Sequence, residues 1–394
     1  MKRVILVILG AFALGFWSEV FAESFGCLRL YPSHNPMSAT RFAKTYGGTG
    51  IDYAFSVQQT SDGGYILAGE TDSFGAADDI FLIKTDANGN IIWAKTYGGI
   101  ENEIARSVQQ TSDGGYILAG YTSSFGAGNL NIFLIKTDAS GNIQWAKTYG
   151  GTDYDWAYSV QQTSDGGYIV AGRTWSFGAG SEDIFLIKTD ASGNVQWAKT
   201  YGGTYYDNAY SVQQTSDGGY IVAGYTYPSL GYPDIFLMKT DANGNIQWAK
   251  TYGGTDDDAA YSVQQTSDGG YILAGGTDSF GAGSGDLFLI KTDASGNIIW
   301  AKTYGGIYRD SATSVQQTSD GGYIVAGGTW SFDVSVADLF LIKTDANGNI
   351  GSCEIVQNVS PTVNTFSPTV TTPSLSVSSV SPTVNSISPT VTTP

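Results

Sequence analysis

Cysteine is scarce in this chain, with Cys27 and Cys353 the only two among 394 residues, and histidine is rarer still, His34 standing alone. His34 lies outside the repeats, so a Ser-His-Asp or Cys-His relay within them is unavailable, and no cluster of His and Cys metal ligands exists. Positive charge is also short: 19 Lys and Arg face 36 Asp and Glu, for a net charge of -17. Phosphate backbones and anionic membrane surfaces are repelled by such a chain, which argues against a nucleic-acid partner. The one pronounced apolar run, Val4 to Trp17 behind Lys2 and Arg3, is too short to cross about 30 Å of hydrocarbon. Followed by Val20-Phe21-Ala22, it reads as a signal peptide over residues 1–22. The mature chain is then expected to be extracytoplasmic, secreted or at the cell surface, without a transmembrane segment. Helical 3.6-residue periodicity is missing throughout.

What the sequence has instead is repetition. Ala-Lys-Thr-Tyr-Gly-Gly begins at Ala43, Ala94, Ala146, Ala198, Ala249 and Ala301, a period of about 50 residues that means propeller blades or solenoid coils. Each unit carries four strand signals. In the first copy they are Ala54 to Thr60 (A), Tyr65 to Ala68 (B), Ile80 to Thr85 (C) and Ile91 to Tyr97 (D), with Ser-Asp-Gly-Gly and Asp-Ala-Asn-Gly-Asn as tight turns. Strand C is apolar on both faces, as a strand sandwiched between neighbouring blades must be. The expected fold is all-β: a six-bladed β-propeller of four-stranded antiparallel blades, with a β-solenoid as the structural rival.

The sixth copy departs from the repeat at Asn349-Ile350-Gly351-Ser352-Cys353, where strand D belongs, while the chain opens on a surplus D-type strand, Arg41 to Tyr46. The surplus strand is expected to complete the sixth blade and close the ring, since closure removes exposed edges. Closure would bring Cys27 and Cys353 together as candidate disulfide partners in an oxidising compartment; two unrelated thiols are the alternative. Residues 23–40 form a lead-in and 41–353 the propeller. Residues 354–394 are rich in Ser, Thr and Pro, and Ser360 to Pro373 recurs as Ser381 to Pro394. They are expected to be a disordered stalk or linker.

The unit from Trp145 through Gly150, Gly151, Asp155 and Ala157 to Asp165-Gly166-Gly167-Tyr168 and Gly172 resembles the bacterial and archaeal extracytoplasmic β-propeller repeat family, and its B strand followed by glycine is similar to kelch blades. The resemblance covers all six copies and implies the fold. It implies no activity and no catalytic residues, because many unrelated functions share propellers.

Alternating strand direction puts A–B and C–D connections on one face and B–C and D–A connections on the other. The first face is nearly invariant between copies; the second carries the variation, and with it Trp156, Trp175, Trp330, Tyr121, Tyr225, Tyr227 and Arg173. Aromatic rings with acidic and amide neighbours suit stacking on sugar rings or holding an extended peptide. These residues are the candidate ligand-binding set, with a glycan or a surface protein as partner; rings that merely cover blade tops are the alternative. Lysines at the Leu-Ile-Lys-Thr and Ala-Lys-Thr-Tyr positions are read as scaffold. The acidic residue after the double glycine recurs as Asp52, Glu103, Asp155, Asp207, Asp258 and Asp310. Each is expected to accept backbone N–H bonds at the D–A crossing, the alternative being a ring of cation ligands.

No metal and no cofactor is called for. The chain is read as a non-enzymatic binding or scaffold module. The alternative is a propeller-type glycan-acting hydrolase, which needs only two carboxylates. A sialidase would recruit Arg106, Arg173 and Arg309, but these occupy non-equivalent repeat positions and the Ser-x-Asp-x-Gly-x-Thr-Trp box is absent.

Overall fold

The computed structural model describes residues 42–75, 77–229, 231–332, 337–351, 355–365, 369–371, 376–379, 383–386 and 390–392. Cys27 and Cys353 lie outside them, as does the signal-like segment. Among the described residues there are only strands and turns, and no helix long and apolar enough to cross a membrane. The six repeats fold as the six blades of a β-propeller. The third is typical: Asp155–Gln162 (A), Tyr168–Thr174 (B), Asp183–Thr189 (C) and Val195–Gly202 (D), antiparallel in that order.

Repetition in the sequence becomes repetition in the contacts between blades. Strand C is buried along its length, as its two-sided apolar pattern demands. Along the inner strands, Ser and Gln of Ser-Val-Gln-Gln zip one blade to the next. The Ser107 hydroxyl accepts from Val160 N–H at 3.2 Å and Gln109 Oε1 from Gln162 N–H at 2.6 Å. On the invariant face, the hydroxyl of Tyr149 donates to the Gly193 carbonyl of the next blade at 2.7 Å, and Trp145 sets its edge against Tyr168. Gly193 has φ +75, and a Cβ there would meet the Trp145 ring at 2.9 Å. Left-handed backbone and close approach both demand glycine in the Asp-Ala-x-Gly-Asn turn. The strand C lysines of the first five blades are buried and paired: Lys188 Nζ lies 2.8 Å from Asp165 of the Asp-Gly-Gly turn and also donates to the Thr189 carbonyl. They are scaffold, as expected.

Two expectations about the chain ends need correction. The N-terminal strand, Thr45–Gly47, does not pair with strand C of the sixth blade, Asp338–Thr344, whose only strand partner among the described residues is strand B, Tyr323–Thr329. It is held in the D position ahead of the first blade by the contacts every D strand makes with the blade after it. The Tyr46 hydroxyl donates to Gly89 O, Lys44 donates to Asn90, and Phe42 meets Tyr65 edge-on. With no described strand on the outer edge of Asp338–Thr344, Leu339 and Leu341 are 46% and 49% exposed.

The tail, in turn, is not a free spacer along its described residues. It runs back around the propeller, adding an antiparallel outer strand to one D strand after another. Val356–Asn358 lies on the fifth blade and Thr362–Thr365, Thr369–Thr371, Ser376–Ser379 and Thr383–Ser386 on the fourth to the first; Thr390–Thr392 lies on the N-terminal strand. One register holds throughout: Val356, Val363, Val370, Val377, Val384 and Val391 oppose Tyr304, Tyr252, Tyr201, Tyr149, Tyr97 and Tyr46. The physical reason is that a D strand at the rim has an unpaired edge, and the tail supplies a valine every seventh residue, one for each of the five D strands and one for the N-terminal strand. Glycine-free, charge-poor Thr/Ser/Val sequence is compatible with strand as well as with a stalk.

Candidate functional site: the variable face

The D–A and B–C connections form one face, as strand alternation requires. They are tied together where the acidic residue opening strand A donates its N–H to the loop before strand C of the preceding blade, as Asp207 does to Glu182 O at 2.8 Å. The carboxylates themselves are committed to this crossing. The second glycine of Tyr-Gly-Gly donates its N–H to Asp52, Glu103, Asp155, Asp207, Asp258 and Asp310 in turn, at 2.6–2.9 Å. Ser176, Ser279 and Ser331 hydroxyls add a second bond to Asp155, Asp258 and Asp310. This is the backbone-binding role expected of them.

The first glycine of the pair is fixed by space. A Cβ on Gly202 would fall 2.0 Å from Asp183 Oδ1 and 2.7 Å from Asp207 Oδ2. Gly202→Ala is therefore expected to cost about 1–3 kcal/mol, the usual price of overpacking a filled site, measurable by chemical denaturation. Gly166→Ala, where nothing lies within 4 Å but φ is +83, separates backbone strain from crowding.

The candidate set read from the sequence, on the D–A connections and the end of strand B, does not include the position at which the blades meet nearest the centre of this face. In every blade the A–B register slips by one residue just before Ser-Val-Gln-Gln. The extra residue is Phe55, Arg106, Tyr158, Tyr210, Tyr261 or Thr313 in the successive blades. A bulge of this kind re-aims a side chain, and here the bulge residues of adjacent blades meet. Tyr210 lies between Tyr158 and Tyr261, with ring centroids 4.9 and 5.2 Å away, and Arg106 covers the Phe55 ring at 4.0 Å. The only signal in the sequence is that this strand position varies while Ser-Val-Gln-Gln beside it does not.

Around that centre the structure gathers most of the predicted residues. Trp156 stacks on Tyr154 at 5.4 Å and 11°, and Trp175 stands edge-on to both. The Arg173 guanidinium lies over Trp156 at 4.1 Å, and its Nε contacts Glu182 Oε1 at 2.7 Å as an ion pair off the line of a hydrogen bond. Arg173 also donates to Asn208 Oδ1 at 3.2 Å, which bridges to the fourth blade. There Tyr225 joins Tyr210 to Tyr227, and Tyr227 meets Tyr206. Tyr121 accepts a hydrogen bond from Arg106. Trp330 stands apart in the sixth blade: its backbone N–H bonds Arg309 O, as that of Trp175 bonds Tyr154 O, but among the described residues it makes no ring contact with the cluster.

Burial shapes the charge of this surface. It pushes the Glu182 carboxyl above its ordinary value, with Arg173, Trp175 and Asn208 opposing. It also pushes the Tyr158 and Tyr225 phenols far up, so both are neutral donors over any ordinary pH. Among the described residues no group of three or more His, Cys, Asp or Glu converges as a metal site. What the arrangement offers chemically is a rigid aromatic platform, Trp175 being 46% exposed, edged by neutral hydroxyls and two arginines.

No family model matches this chain. It is similar to the regulatory protein FlaEY of Caulobacter vibrioides, 24% identical over 230 residues that make up 49% of this chain and 24% of that protein. The chain thus matches about a quarter of that relative's length. Among solved structures it is similar to Sqt1 from Chaetomium thermophilum, at 11% identity and TM-score 0.44 over 76% of this chain and 73% of that one. A glucose dehydrogenase gives 8% identity and TM-score 0.42 over 77% and 99%.

Proposed function

We propose that this chain is a non-catalytic recognition module of the extracytoplasmic β-propeller repeat type, exported by its N-terminal segment, that holds a saccharide against the aromatic platform of the variable face. The observation that carries the reading is the contiguous cluster of the third, fourth and fifth blades, from Trp175 and Trp156 through Arg173 and Tyr158 to Tyr210, Tyr225 and Tyr261. Rings locked against one another lose little conformational freedom when a ligand stacks on them. Phenols that stay protonated donate hydrogen bonds to sugar hydroxyls without carrying charge.

A glycan and polysaccharide screen of the exported chain tests this. Trp175→Ala is expected to weaken the best ligand about fivefold to tenfold, the equivalent of about 1 kcal/mol of stacking. Trp330→Ala, outside the cluster, is expected to leave affinity unchanged. Equal losses in both variants would refute the cluster as the site, and absence of any glycan ligand would turn the reading to a protein partner.

A further inference from the structure

At each of the five junctions between consecutive blades, the residue opening strand C faces the acidic residue opening strand A of the next blade. The pairs are Asp79 with Glu103, Asn131 with Asp155, Asp183 with Asp207, Asp234 with Asp258, and Asp286 with Asp310, each flanking the first glycine of Tyr-Gly-Gly. A Cβ on that glycine would touch both members, which places their oxygens within about 5 Å, where like charges oppose each other's ionisation. All but Asp234 are buried. Oδ1 of Asp79 and of Asp183, the oxygens that face the next blade's carboxylate across the glycine, are buried without a hydrogen-bond partner. A buried pair of carboxylates with a bare oxygen at this distance is a poor dianion.

A cation, which would take six to eight oxygen ligands, fits poorly. In the third blade's junction Asp207 is already bonded by Gly203 N–H and the Thr226 hydroxyl, and Asp183 Oδ2 by Ala179 and Gly180 N–H. The chain itself supplies the better answer at the second junction, where an amide, Asn131, stands in place of the aspartate. Its Nδ2 is buried and unpartnered, and amide oxygen and nitrogen are exchanged by half a turn. Turned, Asn131 donates to Asp155 and accepts from the loop N–H groups, as a protonated carboxyl group does in the same place.

We propose that each of the other four junctions holds one proton, carried by the strand C aspartic acid and hydrogen-bonded to the carboxylate of the next blade, so that the propeller takes up protons in mildly acidic surroundings and its blade junctions loosen as they leave. The charged neighbours act in this direction. Asp78 lies beside the first pair, Asp153 beside the second, Asp278 beside the fifth; Glu182, beside the third, is paired with Arg173. Burial first, and then neighbouring carboxylates, lift Asp79, Asp183, Asp207 and Asp258 to about 6, and lift Asp286 in the same direction. Burial alone lifts Asp234.

Because these folded-state values exceed the unfolded one, the stability they contribute is complete below about pH 4 and lost as pH rises through 6. The turn aspartates oppose this at the acid end. Against the burial penalty, bonds from lysine, threonine and glycine hold Asp113, Asp165, Asp217 and Asp268 at about 2. Their contribution is present above about pH 4 and lost toward pH 2, so maximum stability falls near pH 4–5.

The test uses the full chain at pH 4.5 and pH 7.5. Asn131→Asp installs a fifth pair and is expected to raise the unfolding constant about tenfold or more at pH 7.5, one pKa unit being tenfold, with little change at pH 4.5. Asp183→Asn, which copies the second junction, is expected to do the reverse at pH 7.5 and to weaken the infrared band of protonated carboxyl groups at pH 5. Equal destabilisation by Asn131→Asp at both pH values would overturn the proposal. So would an unchanged carboxyl band in Asp183→Asn, or millimolar calcium restoring Asn131→Asp at pH 7.5.

Discussion

Arg173→Ala is expected to destabilise the protein by about 3–5 kcal/mol, because it leaves the Glu182 carboxylate buried without its counter-charge. Arg173 also lies over Trp156 and reaches Asn208 across the blade junction. The loss therefore combines an unpaired buried charge, a cation–π contact and an inter-blade hydrogen bond. Denaturant unfolding followed by tryptophan fluorescence measures it, since Trp156 and Trp175 both lie in the affected cluster. The double variant Arg173→Met, Glu182→Leu is expected to recover most of the loss, because replacing a whole buried ion pair by apolar side chains is often neutral. An Arg173→Ala chain as stable as the parent would mean that Glu182 is neutral in the folded protein.

Ending the chain at residue 355 is expected to have the next largest effect. It strips the outer partner from six strands: the D strands of the first five blades and Thr45–Gly47. Net stability changes less than the number of strands suggests, because the hydrogen bonds lost, roughly 1 kcal/mol each, are offset by roughly 1–2 kcal/mol of conformational entropy per released residue. The large change is in the edges. Uncovered strand edges recruit other chains, so light scattering is expected to show self-association of the shortened protein. Its D-strand amides are expected to exchange with solvent at least about tenfold faster. A monomer with unchanged exchange would show that the tail does not cover these edges.

Much of this molecule was legible in its sequence because the responsible interactions are short in range. Asp-Gly and Asn-Gly dictate tight turns through positive φ, Ile-Phe-Leu-Ile dictates a strand buried on both sides, and six copies at one spacing dictate six blades. Strand alternation then assigned the variable loops to one face, and Trp156, Trp175, Arg173, Tyr225 and Tyr227 do stand together there. Trp330 has the same repeat position as Trp175, but its neighbours in the sixth blade are Gly328 and Ser311 where the third blade has Arg173 and Trp156. Position in the repeat was readable, whereas company was not.

The sequence by itself determined the local conformations and their number: hairpins, blades, and the glycines and acids of each crossing. Only the tertiary structure decided what depends on register between distant segments. A one-residue slip before Ser-Val-Gln-Gln turns Tyr158, Tyr210 and Tyr261 toward one another. The heptads of the tail acquire meaning only against the tyrosines of the D strands. Carboxylates 24 residues apart become pairs only when one blade is set against the next. Turn chemistry is written in adjacent residues, but a bulge, an added edge strand and a shared proton each need a partner that the chain reaches only after it has folded.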